Sequence, residues 1–156
     1  MAGFYHSLLK QIRKYHLAKP IVLIARITPY LVAGIYALTI IYLACYDHHS
    51  LLKVIIKPLT AFIIVTVIRK IYDRPRPCIT MDLTPLVGHK TGESFPSRHT
   101  VSAFSIALAL YSVSPVLGNA TLVLALIVAA TRILCGLHHI SDVLAAIMIS
   151  LLIFWI

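Results

Sequence analysis

The chain has 156 residues, 60% of them hydrophobic and only 12% charged, with a mean hydropathy of +0.91; soluble domains carry about 25% charged residues, so an ordinary water-soluble fold is excluded. Fourteen Lys and Arg stand against five Asp and Glu, a net charge of +9, which in so apolar a chain points to anionic lipid headgroups rather than nucleic acid. The three cysteines, Cys45, Cys78 and Cys135, fall in no metal spacing, so neither a disulfide framework nor a metal site is expected.

Residues 4–19 place Phe4, Leu8, Ile12 and Tyr15 at helical spacing, with Lys10, Arg13, Lys14 and Lys19 largely elsewhere around the wheel. The pattern predicts an amphipathic interfacial helix over residues 1–19. It does not read as a cleavable signal peptide, because the next apolar run lacks a small-residue cleavage site. Ile27 to Cys45 gives 19 uncharged residues, about 28 Å of helix and enough for one crossing. Tyr46 to Ser50 forms a turn, and Leu51 to Ile68 a second crossing, with Lys53 and Lys57 able to snorkel near its start. Residues 72–98 gather Pro75, Pro77, Pro85, Gly88, Gly92 and Pro96 and read as a functional loop. Thr100 to Ala130 carries no charge across 31 residues. The Ser114-Pro115 and Gly118-Asn119 signals split it into two antiparallel helices, and Val143 to Ile156 supplies a fifth. The expected fold is all-α: an integral membrane bundle of about five transmembrane helices over residues 20–156, preceded by the interfacial helix.

Alternating five crossings brings three polar clusters to one membrane face: Arg69-Lys70 with Arg74-Pro75-Arg76-Pro77, then Pro96-Ser97-Arg98-His99, then Thr131-Arg132 with His138 and Asp142. Ionisable groups at membrane depth are costly, roughly 2.5–3.5 kcal/mol each, so they persist where they pair, line a wet cavity or do chemistry. His138 and Asp142, four apart, share a face if helical, which would leave one imidazole nitrogen free as a nucleophile. Arg132 and Arg76 suit anionic oxygens through the guanidinium fork. His99 could protonate a leaving oxygen, and Ser97 with the N–H groups of Arg98 and His99 offers an anion cradle at a helix N-terminus. A nucleophile, an acid and a cation clamp are thus present without a metal or other cofactor.

These residues resemble the type 2 phosphatidic acid phosphatase (PAP2) family, whose pattern is K-x6-RP, PSGH and SR-x5-H-x3-D. Arg76-Pro77 matches the RP; Pro96-Ser97-Arg98-His99 matches PSGH, with Arg98 in the Gly place; Arg132, His138 and Asp142 match the third motif, with Thr131 for Ser. Arg69 stands where the Lys belongs and Lys70 is adjacent, so either could serve. The resemblance implies a metal-independent phosphatase in which His138 forms a phosphohistidine, Asp142 orients it, and His99 protonates the departing lipid oxygen before helping to activate water. The small size and the F-P-S-x-H-T sequence most resemble bacterial members such as undecaprenyl-diphosphatases. A phosphatidic acid or phosphatidylglycerophosphate phosphatase is the alternative, and a non-catalytic anionic-lipid-binding protein a further one.

The blander readings differ by residue. Arg74 reads as a juxtamembrane anchor, and His139 as an interfacial residue pointing about 100° away from His138. Glu93, Asp82, His6, His16, His48, His49 and His89 read as loop or interface residues. Sidedness is contested: the basic N-terminus lies on the motif face and argues for the cytoplasm, whereas the resemblance implies an extracytoplasmic site in the cell membrane. The expected partners are a lipid phosphate substrate and membrane lipids, with no nucleic acid.

Overall fold

The computed structural model describes residues 2–88 and 92–156, which are helices and their connections; His89 lies outside them. The helices are α1 (Ala2–Lys14), α2 (Ala18–Tyr46), α3 (His48–Ile71), α4 (Pro77–Thr80), α5 (Arg98–Tyr111), α6 (Pro115–Leu134) and α7 (Ile140–Trp155). The amphipathic segment stops earlier than its polarity implies. His16 turns into the left-handed region at φ 55, where Leu17 N–H donates to the Ile12 carbonyl and His16 N–H to that of Arg13, the Schellman closure of a helix end. The buried face of α1 is Tyr5, Leu9 and Ile12, with Tyr5 and Leu9 packed among Leu83, Cys78, Met81 and Leu86. Of the apolar stripe Phe4, Leu8, Ile12 and Tyr15, Phe4 and Tyr15 stay exposed while Ile12 is buried.

Three helices, α2, α3 and α6, are long and apolar enough to cross a membrane. Both α2 and α3 contain an interior proline, Pro29 and Pro58, and each proline deprives the carbonyl four residues earlier of its helical donor. In apolar surroundings that carbonyl needs another partner. It receives one from a neighbouring helix in each case: the Arg132 guanidinium of α6 donates to the Ala25 carbonyl, and the Tyr36 hydroxyl of α2 donates to the Val54 carbonyl at 3.0 Å.

Ser114 caps α6 by accepting from Leu117 N–H, with Pro115 in its first turn, as a cap followed by proline at N1 requires. Gly118 then lets α6 lie against α5: a Cβ there would stand 2.3 Å from Tyr111 Cα. The short helix α5 is the hub, contacting α2, α3, α6 and α7, and its Val101, Ala103, Phe104, Ala107 and Leu110 are buried. The bundle's outer surface is apolar, with Leu38, Ile41, Val116 and Leu144 exposed, the inversion expected of helices facing lipid. Lys57, expected to snorkel, instead donates to the Phe154 carbonyl at 2.6 Å and lies over the Phe154 ring, satisfying an orphan acceptor at the end of α7.

Candidate active site

The site forms where the C-terminal ends of α3 and α6 meet the N-terminal ends of α5 and α7, with residues 74–76 and 92–97 packed over it. After α6 the chain turns on Gly136, at φ +70, a conformation glycine adopts without cost. Leu137 and His138 N–H then both point to the Arg132 carbonyl, at 3.1 and 3.3 Å. This delivers His138 just ahead of α7. His138 and Asp142 therefore meet across a helix start rather than along one helix face: His139 is the N-cap of α7 and Asp142 its third residue. The pairing survives because the Asp142 carboxylate folds back to cap the helix, accepting from His139 N–H at 2.9 Å, while its Oδ2 lies 3.5 Å from His138 Nδ1.

His138 is 2% exposed and Asp142 0%. Arg76, also buried, donates from Nη1 to the Leu137 carbonyl at 3.0 Å and faces His138 Nε2 at 3.4 Å. A guanidinium donor opposite Nε2 calls for a lone pair there, which assigns the imidazole proton to Nδ1, facing Asp142. Burial pushes the His138 pKa below its ordinary value; the Asp142 contact raises it, and the Arg76 charge lowers it further. Burial likewise lowers Arg76, with Arg98 adding to the effect, so the Arg98 charge is felt at Arg76.

The other residues singled out in the sequence divide into two groups. Arg69 turns inward, 3% exposed. It donates to the Pro96 carbonyl at 2.8 Å and lies 3.5 Å from the Glu93 carboxylate. Lys70, one residue on, is exposed. Ser97 is buried and caps α5: its hydroxyl accepts from Thr100 Oγ1 at 2.9 Å and, more distantly, from Thr100 N–H. Its own N–H donates to the Asp142 carbonyl at 3.1 Å, tying α5 to α7. Arg98 and His99 open α5, both exposed. They line one end of a cleft of about 310 Å³ that continues between Val32, Phe62 and Ile106. Arg132 is placed elsewhere. Its guanidinium is buried against α2 on the Ala25 carbonyl, a partner created by Pro29 and therefore not legible from the motif.

Two residues not assigned to the site from the sequence hold its carboxylate. Ser94 is fully buried; its hydroxyl donates to Asp142 Oδ2 at 2.5 Å and lies 3.5 Å from His138 Nδ1. Arg74, read as an anchor, donates to Asp142 Oδ1 at 2.7 Å and to Ser141 Oγ at 2.8 Å. Ser94 had no spacing signal, whereas Arg74 stood in plain view beside Arg76. His139, expected to point away, reaches the Pro75 carbonyl through Nε2 at 3.3 Å. Tyr5 of α1 donates to the His138 carbonyl at 3.1 Å, so the N-terminal helix touches the nucleophile candidate's own backbone.

This geometry can be set beside known proteins. The undecaprenyl-diphosphatase BcrC of Bacillus subtilis (strain 168) is 28% identical over 95 residues, 61% of this chain and 49% of that protein. The bacitracin transport permease protein BcrC of Bacillus licheniformis is 31% identical over 110 residues, 65% of this chain and 54% of that one. The chain thus spans about half the length of the curated relatives it matches. Among solved structures, Aquifex aeolicus LpxE superposes with a TM-score of 0.77 at 22% identity, covering 98% of this chain and 91% of that one. A transmembrane PAP2-type phosphatidylglycerolphosphate phosphatase from Bacillus subtilis gives 0.59 at 22%, covering 97% and 89%; both likenesses concern the fold. Residues 50–156, which hold every element of the site except α1 and α2, match the PAP2 superfamily, and the chain belongs to that superfamily.

Proposed function

We propose that the chain is a multi-pass membrane lipid phosphatase that hydrolyses an isoprenyl diphosphate of the undecaprenyl diphosphate type through a phosphohistidine on His138. The observation that carries this reading is the buried dyad itself: His138 Nδ1 against Asp142, with Nε2 turned to the Arg76 guanidinium. Arg69, Arg76 and Arg98 are the cations suited to hold the transferring phosphoryl oxygens, since preorganised donors in a dry site stabilise developing charge most strongly. His138 Nε2 forms a bond to phosphorus as the P–O bond to the leaving group breaks. Protonated His99 gives its proton to that oxygen. Water then attacks the phosphohistidine, His99 takes the water's proton, and the N–P bond breaks to release phosphate.

Five helices, α2, α3, α5, α6 and α7, cross the bilayer in this reading, with α5 and α7 short because they start below the surface at the site, and α1 lies in the interface. The active site faces the extracytoplasmic side. The apolar cleft beside Arg98 and His99 suits a lipid tail, and the undecaprenyl-diphosphatase named among the relatives supports the diphosphate. Phosphate release by purified protein from undecaprenyl diphosphate, phosphatidic acid and phosphatidylglycerophosphate tests the proposal. The diphosphate is expected to turn over fastest, with an acid-labile, base-stable phosphoprotein that His138→Ala abolishes. Hydrolysis of none of the three would overturn the enzymatic reading and leave lipid binding, and a phosphoprotein persisting in His138→Ala would reassign the nucleophile.

A further inference from the structure

We propose that Arg74 is a positioning residue of this site, fixing Asp142 and Ser94 as one unit behind His138 rather than binding substrate phosphate; the inference rests on the phosphatase reading above. The side chain of Arg74 acts on one of these two groups and its backbone on the other. Its guanidinium donates to Asp142 Oδ1 at 2.7 Å, and its carbonyl accepts from Ser94 N–H at 2.8 Å. Ser94 in turn donates its hydroxyl to the other carboxylate oxygen, Asp142 Oδ2. Arg74, Ser94 and Asp142 therefore close a ring of hydrogen bonds that leaves the carboxylate little freedom to rotate.

The neighbours of Arg74 extend the same grip. The Pro75 carbonyl holds His139 Nε2, and Arg76 holds the Leu137 carbonyl and faces His138. Three consecutive residues thus clamp the 137–142 segment from the loop side. Arg74 is committed to Asp142 and Ser141 from the outer rim, with its side chain 27% exposed, whereas Arg76 sits on the Nε2 side, where phosphorus must arrive. A carboxylate that orients an imidazole works only if it is itself held; where the oriented imidazole binds a metal, loss of such outer contacts costs about 10–100-fold, and the same order is expected here.

The charges near His138 set the sign of the pH effect. Asp142 of α7, Arg76 of the loop and Arg69 of α3 act on His138 itself; Arg98 of α5 and Glu93 act on Arg76, Arg74 is bonded to Asp142, His139 caps α7, and Tyr5 of α1 touches the His138 carbonyl. Removing Arg74 takes a cation from the vicinity of the imidazole and leaves Asp142 less compensated. Both changes favour the imidazolium.

The test compares wild type, Arg74→Ala, Arg74→Gln and Arg74→Lys in detergent, with undecaprenyl diphosphate as substrate. Arg74→Ala is expected to lower kcat about 10–100-fold with KM little changed, and to move the acid limb of kcat/KM to higher pH. Arg74→Lys, which keeps the charge, restores the limb. If Arg74→Ala does not fold, Arg74→Gln keeps a donor without the charge and carries the same expected shift. A rise in KM at constant kcat would make Arg74 a phosphate ligand, and unchanged kinetics would make it a surface anchor; either overturns the proposal. An NMR titration of labelled histidine, with the His138 signal assigned through His138→Asn, gives a readout independent of turnover. If the wild type hydrolyses no lipid phosphate, the phosphatase reading fails, and a His138 midpoint that rises, or stays, in Arg74→Ala decides for or against the role of Arg74.

Discussion

The buried imidazole of His138 carries a consequence for pH. As the proposed nucleophile it must be neutral, and burial together with Arg76 holds its pKa below the ordinary value of about 6.5. Protonation therefore begins at lower pH than for a solvated histidine, and the acid limb of kcat/KM for the free enzyme is expected below that value; a pH–rate profile checks it, and a limb near or above neutrality would contradict it. Arg69 and Lys70 make a second comparison. Arg69 is buried on the Pro96 carbonyl beside Glu93 and keeps the motif spacing to Arg76, while Lys70 is exposed. Arg69→Ala should lower kcat by about 10²–10³-fold, the range for losing one preorganised donor, with Lys70→Ala near wild type; the reverse ranking would show the motif displaced by one residue. For His99, the expected discrimination is by leaving group. General acid catalysis supplies about 10²–10⁴-fold, so His99→Ala should suppress hydrolysis of a lipid alkoxide ester by that order and of nitrophenyl phosphate much less. Equal losses would make His99 a phosphate ligand.

At the scale of helices, the interior prolines determine where two polar side chains go. Arg132 is drawn to the Ala25 carbonyl because Pro29 cannot donate to it. A hydrogen bond from a charged group is worth about 1.5–3 kcal/mol, so Arg132→Met should lower stability in detergent by that order. Adding Pro29→Ala to Arg132→Met should recover part of the loss, since the new N–H satisfies the carbonyl within α2. Thermal unfolding of the two single variants and the double variant measures the coupling, and strict additivity would mean that the two residues do not share this acceptor. The same substitutions read function as well: a stability loss with unchanged KM places Arg132 in the scaffold, and a large rise in KM returns it to the phosphate cradle.

For the whole molecule, the proposed orientation puts the site face and the α2–α3 turn on opposite sides of the bilayer. Thr84 is exposed on the site face and held through its carbonyl by Arg13 of α1, while Cys45 is exposed near the far end of α2. In right-side-out vesicles, with Cys78→Ser removing the partly buried thiol, an impermeant maleimide should label Thr84→Cys and leave Cys45 unmodified until the membrane is opened. The opposite pattern would place the site in the cytoplasm, as the charge of Lys10, Arg13 and Lys14 on α1 would favour.

Much of this protein was already determined by its sequence. Long uncharged runs can be satisfied in lipid only as helices, and the Ser114-Pro115 break, which cannot continue a helix, separated α5 from α6 as expected. Arg69, Arg76, His138 and Asp142 stand at or beside helix ends, and packing brings Arg76 and Asp142 against His138. Tertiary structure decided the rest. Whether His138 and Asp142 met along a helix or across its start depended on the Gly136 turn. Ser94 and Arg74 joined Asp142 from 48 and 68 residues away, a proximity set by how the loop packs rather than by any local pattern. Arg132 left the cluster for α2 because a proline 103 positions earlier in the chain exposed a carbonyl. The demand that every buried polar group find a partner is a property of the packed interior, and the chain's local periodicity does not encode it.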